Sequence, residues 1–409
     1  MSYASKVRFL DRSTPPHIVT LILLAGLSAL VMNIFLPSLP NMTAYFQTEY
    51  WLMQLSVAVY LAVNAVLQIL IGPISDKMGR RPVILWGIGG FCVATLGCIY
   101  APDIYTFLGF RMAQAVIVTA MVLSRAVVRD CVPQDQAASM IGYVTMGMAV
   151  VPMIGPAFGG VLDQVFGWQA NFWLLLILGL ALFWLTWSDV GETAKVSGLT
   201  LGQQFAQYPE LLKSPRFWGY AIASGMSSGA FFAYLGGAPY VGTEVFGMSP
   251  AVLGFFFGAP AIGYFCGNFI SGRFSARIGV NRMVMLGTLI NCMGILLSML
   301  VFWLGLGSEW TFFGFMTFVG LGNGMTIPNA TAGMLSVRPH LAGTASGLGG
   351  AIMLGGGAGL SALAGALLVP GTGAWPLLWI MLATAICAII AIQLVIWRSA
   401  RLAGLDSAR

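Results

Sequence analysis

The length of its uncharged apolar runs constrains this chain more than any other feature. A helix needs about 20 mostly apolar residues to cross a hydrocarbon core. The sequence supplies twelve such runs, near 18–38, 50–72, 83–101, 105–128, 138–162, 169–188, 217–240, 249–271, 282–305, 309–330, 342–368 and 374–397. Hydrophobic residues make up 58% of the chain and charged residues 8%, whereas a soluble domain carries about 25% charged residues. Strand alternation of the outer-membrane barrel kind is absent. The first run is too long for the apolar part of a secretion signal and lacks a convincing small-residue cleavage site, so it reads as span one. The expected class is an all-α polytopic protein with twelve transmembrane helices in a lipid bilayer.

Lys and Arg set the expected orientation. With both termini on one side, the loops near 39–49, 102–104, 163–168, 241–248, 306–308 and 369–373 face the other side and hold no Lys or Arg. Eighteen of the 19 Lys and Arg residues fall on the terminal side or at its span ends, Arg111 being the exception. Such asymmetry predicts cytoplasmic N and C termini. It also accounts for the net charge of +6 without a nucleic-acid partner. Cysteines 92, 98, 131, 266, 292 and 387 show neither metal-ligand nor disulfide spacing, and no cofactor is expected.

The one long polar connection, 189–216, falls near the middle. It divides the chain into a bundle of six spans (1–188), a cytoplasmic linker (189–216) and a second bundle of six (217–409). The halves repeat one another. Gly72-Pro-Ile-Ser-Asp76-Lys77-Met-Gly79 lies between spans two and three, and Gly272-Arg-Phe-Ser-Ala276-Arg277-Ile-Gly279 lies between spans eight and nine. Two six-span repeats around a midplane substrate site, rocking to alternate access, describe a secondary transporter.

On these residues the resemblance becomes specific. GPISDKMGRR (72–81) resembles the loop signature of the major facilitator superfamily. FRMAQ (110–114) resembles the span-four arginine motif of its drug–proton antiporters. Gly142, Pro152, Gly155, Pro156, Gly159 and Gly160 resemble the span-five antiporter motif, although Val151 replaces one of its glycines. IFLPSLP (34–40), RAVVRD (125–130) and GWQANFW (167–173) resemble the Bcr/CflA branch, which includes bicyclomycin and phenicol exporters. The resemblance implies the major facilitator fold of two pseudo-symmetric bundles in a bacterial inner membrane. It further implies multidrug efflux by proton antiport, a small-molecule substrate and a monomer.

Several residues carry chemistry of their own. The short reversal at 72–81 needs glycines, and its charges can form charge-assisted bonds. The resemblance makes Gly72, Asp76, Gly79, Arg80 and Arg81 a conformational latch with Asp130 as partner, whereas a solvated positive-inside turn is the plainer reading. Ala276 replaces the acid in the second copy, which favours the latch. The span-five glycines let helix backbones meet; packing and hinge readings both stand. An arginine deep in a span costs roughly 2.5–3.5 kcal/mol on insertion scales, so Arg111 is expected to face a polar cavity. Snorkelling to the outer surface is the alternative.

Asn33, Gln54, Tyr60, Asn64, Arg111, Gln114, Met146 and Met153 in the first half are expected to line a substrate cavity, with Phe231, Tyr234, Tyr264, Asn268 and Asn323 in the second. Relatives in this branch commonly carry an aspartate where this chain has Asn33, and an amide cannot carry a proton. All 13 Asp and Glu lie in loops or at span ends. A site without an embedded acid suits neutral dipolar or anionic amphiphiles better than cations. It also leaves open a metabolite carrier or facilitator without carboxylate-based proton coupling. Gly225-Met-Ser227-Ser228-Gly229 matches the G-x-S-x-G of hydrolases, but it lies in an apolar helix and the two histidines, His17 and His340, sit at span ends. No enzyme is expected.

Overall fold

A computed structural model of the chain describes residues 7–131, 144, 151, 154–193, 208–338 and 342–406. Among the described residues no strand occurs, and nine helices are long and apolar enough to cross a membrane. The protein is a multi-pass helical membrane protein. Expected spans seven and ten are present as helices Pro215–Tyr240 and Glu309–Val337, whose glycines, serines, threonines and asparagines lower their hydropathy. Much of expected span five lies outside the described residues.

The chain folds as two compact units. The first comprises Met1–Leu201 with Ser249–Phe255. Its helices are α1 (Ile18–Asn33), α2 (Leu39–Tyr45), α3 (Tyr50–Met78), α4 (Arg80–Ile99), α5 (Ile104–Ala113), α6 (Val118–Cys131) and α7 (Gln169–Asp189), with residues 154–166 also helical. The first apolar run is therefore not one rod. α1 stops at Asn33, a 3₁₀ turn follows at Leu36–Ser38, and α2 restarts the helix. Pro37 and Pro40 enforce this break: each sits in a first helical turn, where its missing N–H costs nothing, and each disfavours helix in the residue before it. Span four is also interrupted, by a 3₁₀ turn at Gln114–Ile117.

Between α3 and α4 the chain reverses through Gly79 at φ +93°, a conformation that side chains rarely adopt. Close packing explains the glycines of the 154–166 segment. A Cβ on Gly159 would collide with the Ile34 carbonyl of α1, and one on Gly160 with the Pro250 carbonyl.

The second unit comprises Gly202–Met248 and Phe256–Arg409. It contains α8 (Tyr208–Leu212), α9 (Pro215–Tyr240), α11 (Ala259–Ile278), α12 (Val280–Trp303), α13 (Glu309–Val337), α14 (Ala342–Leu367) and α15 (Trp375–Asp406); α10 (Pro250–Phe256) belongs almost wholly to the first unit. Its α11–α12 reversal repeats the first, with Gly279 at φ +90°. α11 and α13 meet backbone to backbone, because Cβ atoms on Gly263, Gly267, Gly320 or Gly324 would strike carbonyls of the facing helix.

Candidate functional site

The N-terminal unit buries a charge that no carboxylate among the described residues neutralises. Asp103 caps α5 by accepting from the amides of Tyr105 and Thr106, so Arg111 falls in the last turn of that helix. Its side chain is 0% exposed. Nε donates to the Ser56 carbonyl (3.3 Å), Nη1 to Gln114 Oε1 (2.8 Å) and Nη2 to the Val31 carbonyl (3.0 Å). The guanidinium lies between two rings, 4.3 Å from the centroid of Phe35 and 4.0 Å from that of Tyr60. Gln114 passes the network on to Thr95 Oγ1 (2.8 Å), which donates to the Phe91 carbonyl.

A guanidinium has five N–H groups, and three bonds to neutral acceptors leave capacity for more. Aromatic faces attract a desolvated cation but do not cancel its charge. Among the described residues no carboxylate bonds Arg111. The surface-snorkelling alternative is thereby excluded for this arrangement. The arrangement is a buried guanidinium held by neutral acceptors and aromatic faces.

Asn33 bonds within its own helix. It does not bond Arg111: its Nδ2 donates to the Ala29 carbonyl one turn back (2.7 Å), and its buried Oδ1 has no partner. Leu30 and Ile34, its helical neighbours, meet Gly155 and Gly159. Asn33 is thus on the α1 face towards the 154–166 segment, away from the side where Val31 and Phe35 hold Arg111. Asn64 and Asn268 likewise donate to carbonyls four residues back, a local satisfaction open to any helix amide. Gln54 is buried.

In the C-terminal unit Ser227 donates to Asn323 Oδ1 (2.7 Å), and Asn291 Nδ2 donates to Ser227 Oγ (3.3 Å). The serine of the G-x-S-x-G match is therefore one member of a buried amide–hydroxyl cluster in mid-helix. Tyr234 is 1% exposed with an unpartnered hydroxyl, and its ring packs against Phe231, Phe257 and Phe313. Tyr264 and Asn268 lie one turn apart on α11, both half-buried. Met146, Met153, Gly142 and Pro152 fall outside the described residues.

The predicted latch comes together in part. Arg80 Nε meets Asp130 Oδ2 at 3.1 Å, and its Nη1 also donates to Ser75 Oγ. Ser75 Oγ in turn donates to the Gly72 carbonyl (2.8 Å). The side chain of Asp76 lies outside the described residues. Sequence reading missed Glu192, whose Oε1 accepts from the Arg80 amide (2.8 Å) and Oε2 from the Arg81 amide (3.3 Å), capping α4 from the start of the linker. Arg81 reaches the carbonyls of Val190 (2.9 Å) and Trp187 (3.1 Å) and stacks on the Trp187 ring. Local spacing could not have paired residues more than a hundred positions apart.

The sequence profile described as Major Facilitator Superfamily matches residues 21–357 and 243–409. The chloramphenicol resistance protein of Pseudomonas aeruginosa is 30% identical over 362 residues, covering 86% of this chain and 83% of that protein. Multidrug resistance protein D of Escherichia coli is 28% identical over 367 residues, 88% and 91% of the two chains. An uncharacterized transporter of Bacillus subtilis is 33% identical over 262 residues, 63% of this chain and 65% of that protein. Among solved structures, the peptide transporter POT in complex with sulfate has a TM-score of 0.78 at 12% identity, covering 98% of this chain and 97% of that one.

Proposed function

The chain belongs to the Major Facilitator Superfamily, and on that premise we propose that it is a secondary exporter of small amphiphilic drugs, neutral dipolar or anionic ones above all. Relatives named for chloramphenicol, bicyclomycin and multidrug resistance support the drug class. It works as a monomer in a bacterial inner membrane, with both termini cytoplasmic, and alternates access between its two halves. Proton antiport drives export.

Arg111 carries the preference for substrate charge. A guanidinium held by three neutral acceptors and two rings, with no acid among the described residues bonded to it, attracts a nitro, carbonyl or carboxylate group and repels a cation. The Arg80–Asp130 pair and the Glu192 cap supply the latch that opens and closes with each cycle. A carrier or facilitator without carboxylate-based coupling is the second reading, favoured by the amide at position 33.

Everted vesicles test both. Chloramphenicol is expected to accumulate when the lumen is acid and to leave when the gradient is collapsed, while tetraphenylphosphonium is not accumulated. Gradient-independent equilibration of chloramphenicol would favour the facilitator. Accumulation of the cation alone would refute the charge assignment.

A further inference from the structure

Among the described residues the N-terminal unit buries two carboxylates, and they are held in opposite ways. Asp189 is 0% exposed and accepts from Leu10 N (2.8 Å), His17 N (2.9 Å) and Thr20 Oγ1 (2.7 Å). Two of these donors lie at the start of α1, where a helix N-terminus favours negative charge. Asp163 is 5% exposed and lies in the last turn of the 154–166 segment, where the helix dipole disfavours an anion. Its partners are neutral: Asn41 Nδ2 donates to Oδ2 (2.9 Å), and the Ser38 hydroxyl also donates. Asn171 backs the group, giving Nδ2 to Ser38 Oγ (3.0 Å) and to the Gly159 carbonyl (3.2 Å) while its own Oδ1 is unpartnered.

Among the described residues no countercharge is paired with Asp163. Residues 154–166 contain no other ionisable group, residues 36–48 contain only Tyr45, and residues 167–177 and 249–255 contain none. Burial pushes the Asp163 carboxyl above the usual carboxylate range, and the Ser38 and Asn41 bonds offset this only in part.

The position matters as much as the chemistry. Asp163 holds the stretch just beyond α1, while Asp189 holds the other end of that helix, about 24 Å away at 1.5 Å per residue. Ser38 is three residues beyond Phe35, whose ring lies over Arg111.

We propose that Asp163 is a proton-binding site on the face of the N-terminal unit opposite its N terminus, and that protonation there loosens the 36–45 stretch and so shifts Phe35 against Arg111. A proton from water on that face adds to the carboxylate oxygen. That oxygen then presents an O–H to Asn41 Nδ2 where it had accepted a hydrogen bond, and the bond is lost. The inference rests on the export reading and gives it a coupling acid that position 33 does not supply.

Infrared titration of the protein in liposomes reads the proton directly. Wild type is expected to gain a protonated-carboxyl band as pH falls, beginning above the pH at which exposed carboxylates titrate. Asp163→Asn should abolish that band, and Asp163→Glu should restore one. Asn41→Ala removes a donor to the charged form, so it should move the titration to higher pH by roughly two- to tenfold in proton affinity. In the same vesicles Asp163→Asn should still bind chloramphenicol but no longer accumulate it under a pH gradient. A band that survives Asp163→Asn, or a titration that ignores Asn41→Ala, overturns the proposal. Should wild type accumulate no drug at any pH, the export reading falls and the infrared titration still decides the site. Asn41→Ala, outside the carboxylate itself, keeps that decision available where Asp163→Asn does not fold.

Discussion

α5 is capped by Asp103 and carries Arg111 eight residues later; α13 is capped by Ser308 and carries Met316 at the same distance. Both side chains are 0% exposed. Around Arg111 the unit supplies two carbonyls, an amide oxygen and two aromatic faces. The C-terminal unit instead lets Ser227, Asn291 and Asn323 satisfy one another. One repeat thus spends its polar groups on holding a charge, and the other on closing a neutral cluster. On the proposed export reading, ligand attraction falls to the first half and framework to the second. The reversal loops differ in the same sense. Gly79 and Gly279 share one backbone conformation, yet only Gly79 is crowded, by the Glu192 carboxylate.

The sharpest way to break this comparison is to give the first unit the residue of the second. Arg111→Met should fold, since it replaces a buried charge by an apolar chain, and should cut drug transport by roughly a hundredfold. That equals about 2.7 kcal/mol of lost binding. Arg111→Lys should keep part of the activity, because the point charge survives while the planar fork and its ring stacking do not. Vesicle uptake with expression-matched protein measures both. Undiminished uptake by Arg111→Met would erase the distinction between the halves.

Asn323→Ala tests the neutral cluster. It leaves the buried Ser227 hydroxyl without its acceptor and should cost about 1–3 kcal/mol of stability, read as a lower melting temperature in detergent. Transport by the surviving folded fraction should change little. A large change in drug affinity without a stability loss would move Asn323 into the binding site.

The loop glycines give a smaller contrast. Alanine at φ near +90° costs about 1–3 kcal/mol at either position, but Gly79→Ala must also displace Glu192 from the α4 N-terminus. Gly79→Ala should therefore slow transport more than Gly279→Ala. Equal effects would detach Glu192 from the latch.

The least effect is expected at the two caps. The Thr106 hydroxyl and amide hold the exposed Asp103 carboxyl below its usual range. Its contribution is thus present above the unfolded carboxylate pKa and is lost as pH falls through the lower folded value. Ser308 does not titrate there. Hydrogen exchange at the amides of Tyr105 and Thr106, taken relative to its intrinsic rate at each pH, should accelerate in acid, while that at Thr311 should not follow. Parallel acceleration at both caps would mean that the titration reads global opening.

Particular residues show how far the sequence reached. Pro37 and Pro40 mark the helix break after Asn33, yet hydropathy ran through it to residue 38 and left α2 in an expected loop. Arg111 was legible because a lone charge in an apolar run is costly wherever it packs. Its distant acceptors were not: the Ser56 and Val31 carbonyls hold it, while Asn33 bonds its own helix at Ala29. Asp163 read as a loop residue because the sequence places it past a span end, and only the packing of Ser38, Asn41 and Asn171 takes it out of water.

Apolar run lengths, the Lys and Arg distribution and the repeated glycine loops were enough to determine a polytopic helical chain built twice over, because transfer into lipid depends on composition and length. Apart from Gln114, three residues on, what holds Arg111 was decided by tertiary structure. Its acceptors include the backbone carbonyls of Ser56 and Val31, 55 and 80 residues away. A carbonyl is the same in every residue, so no side-chain identity records which one a distant guanidinium will find.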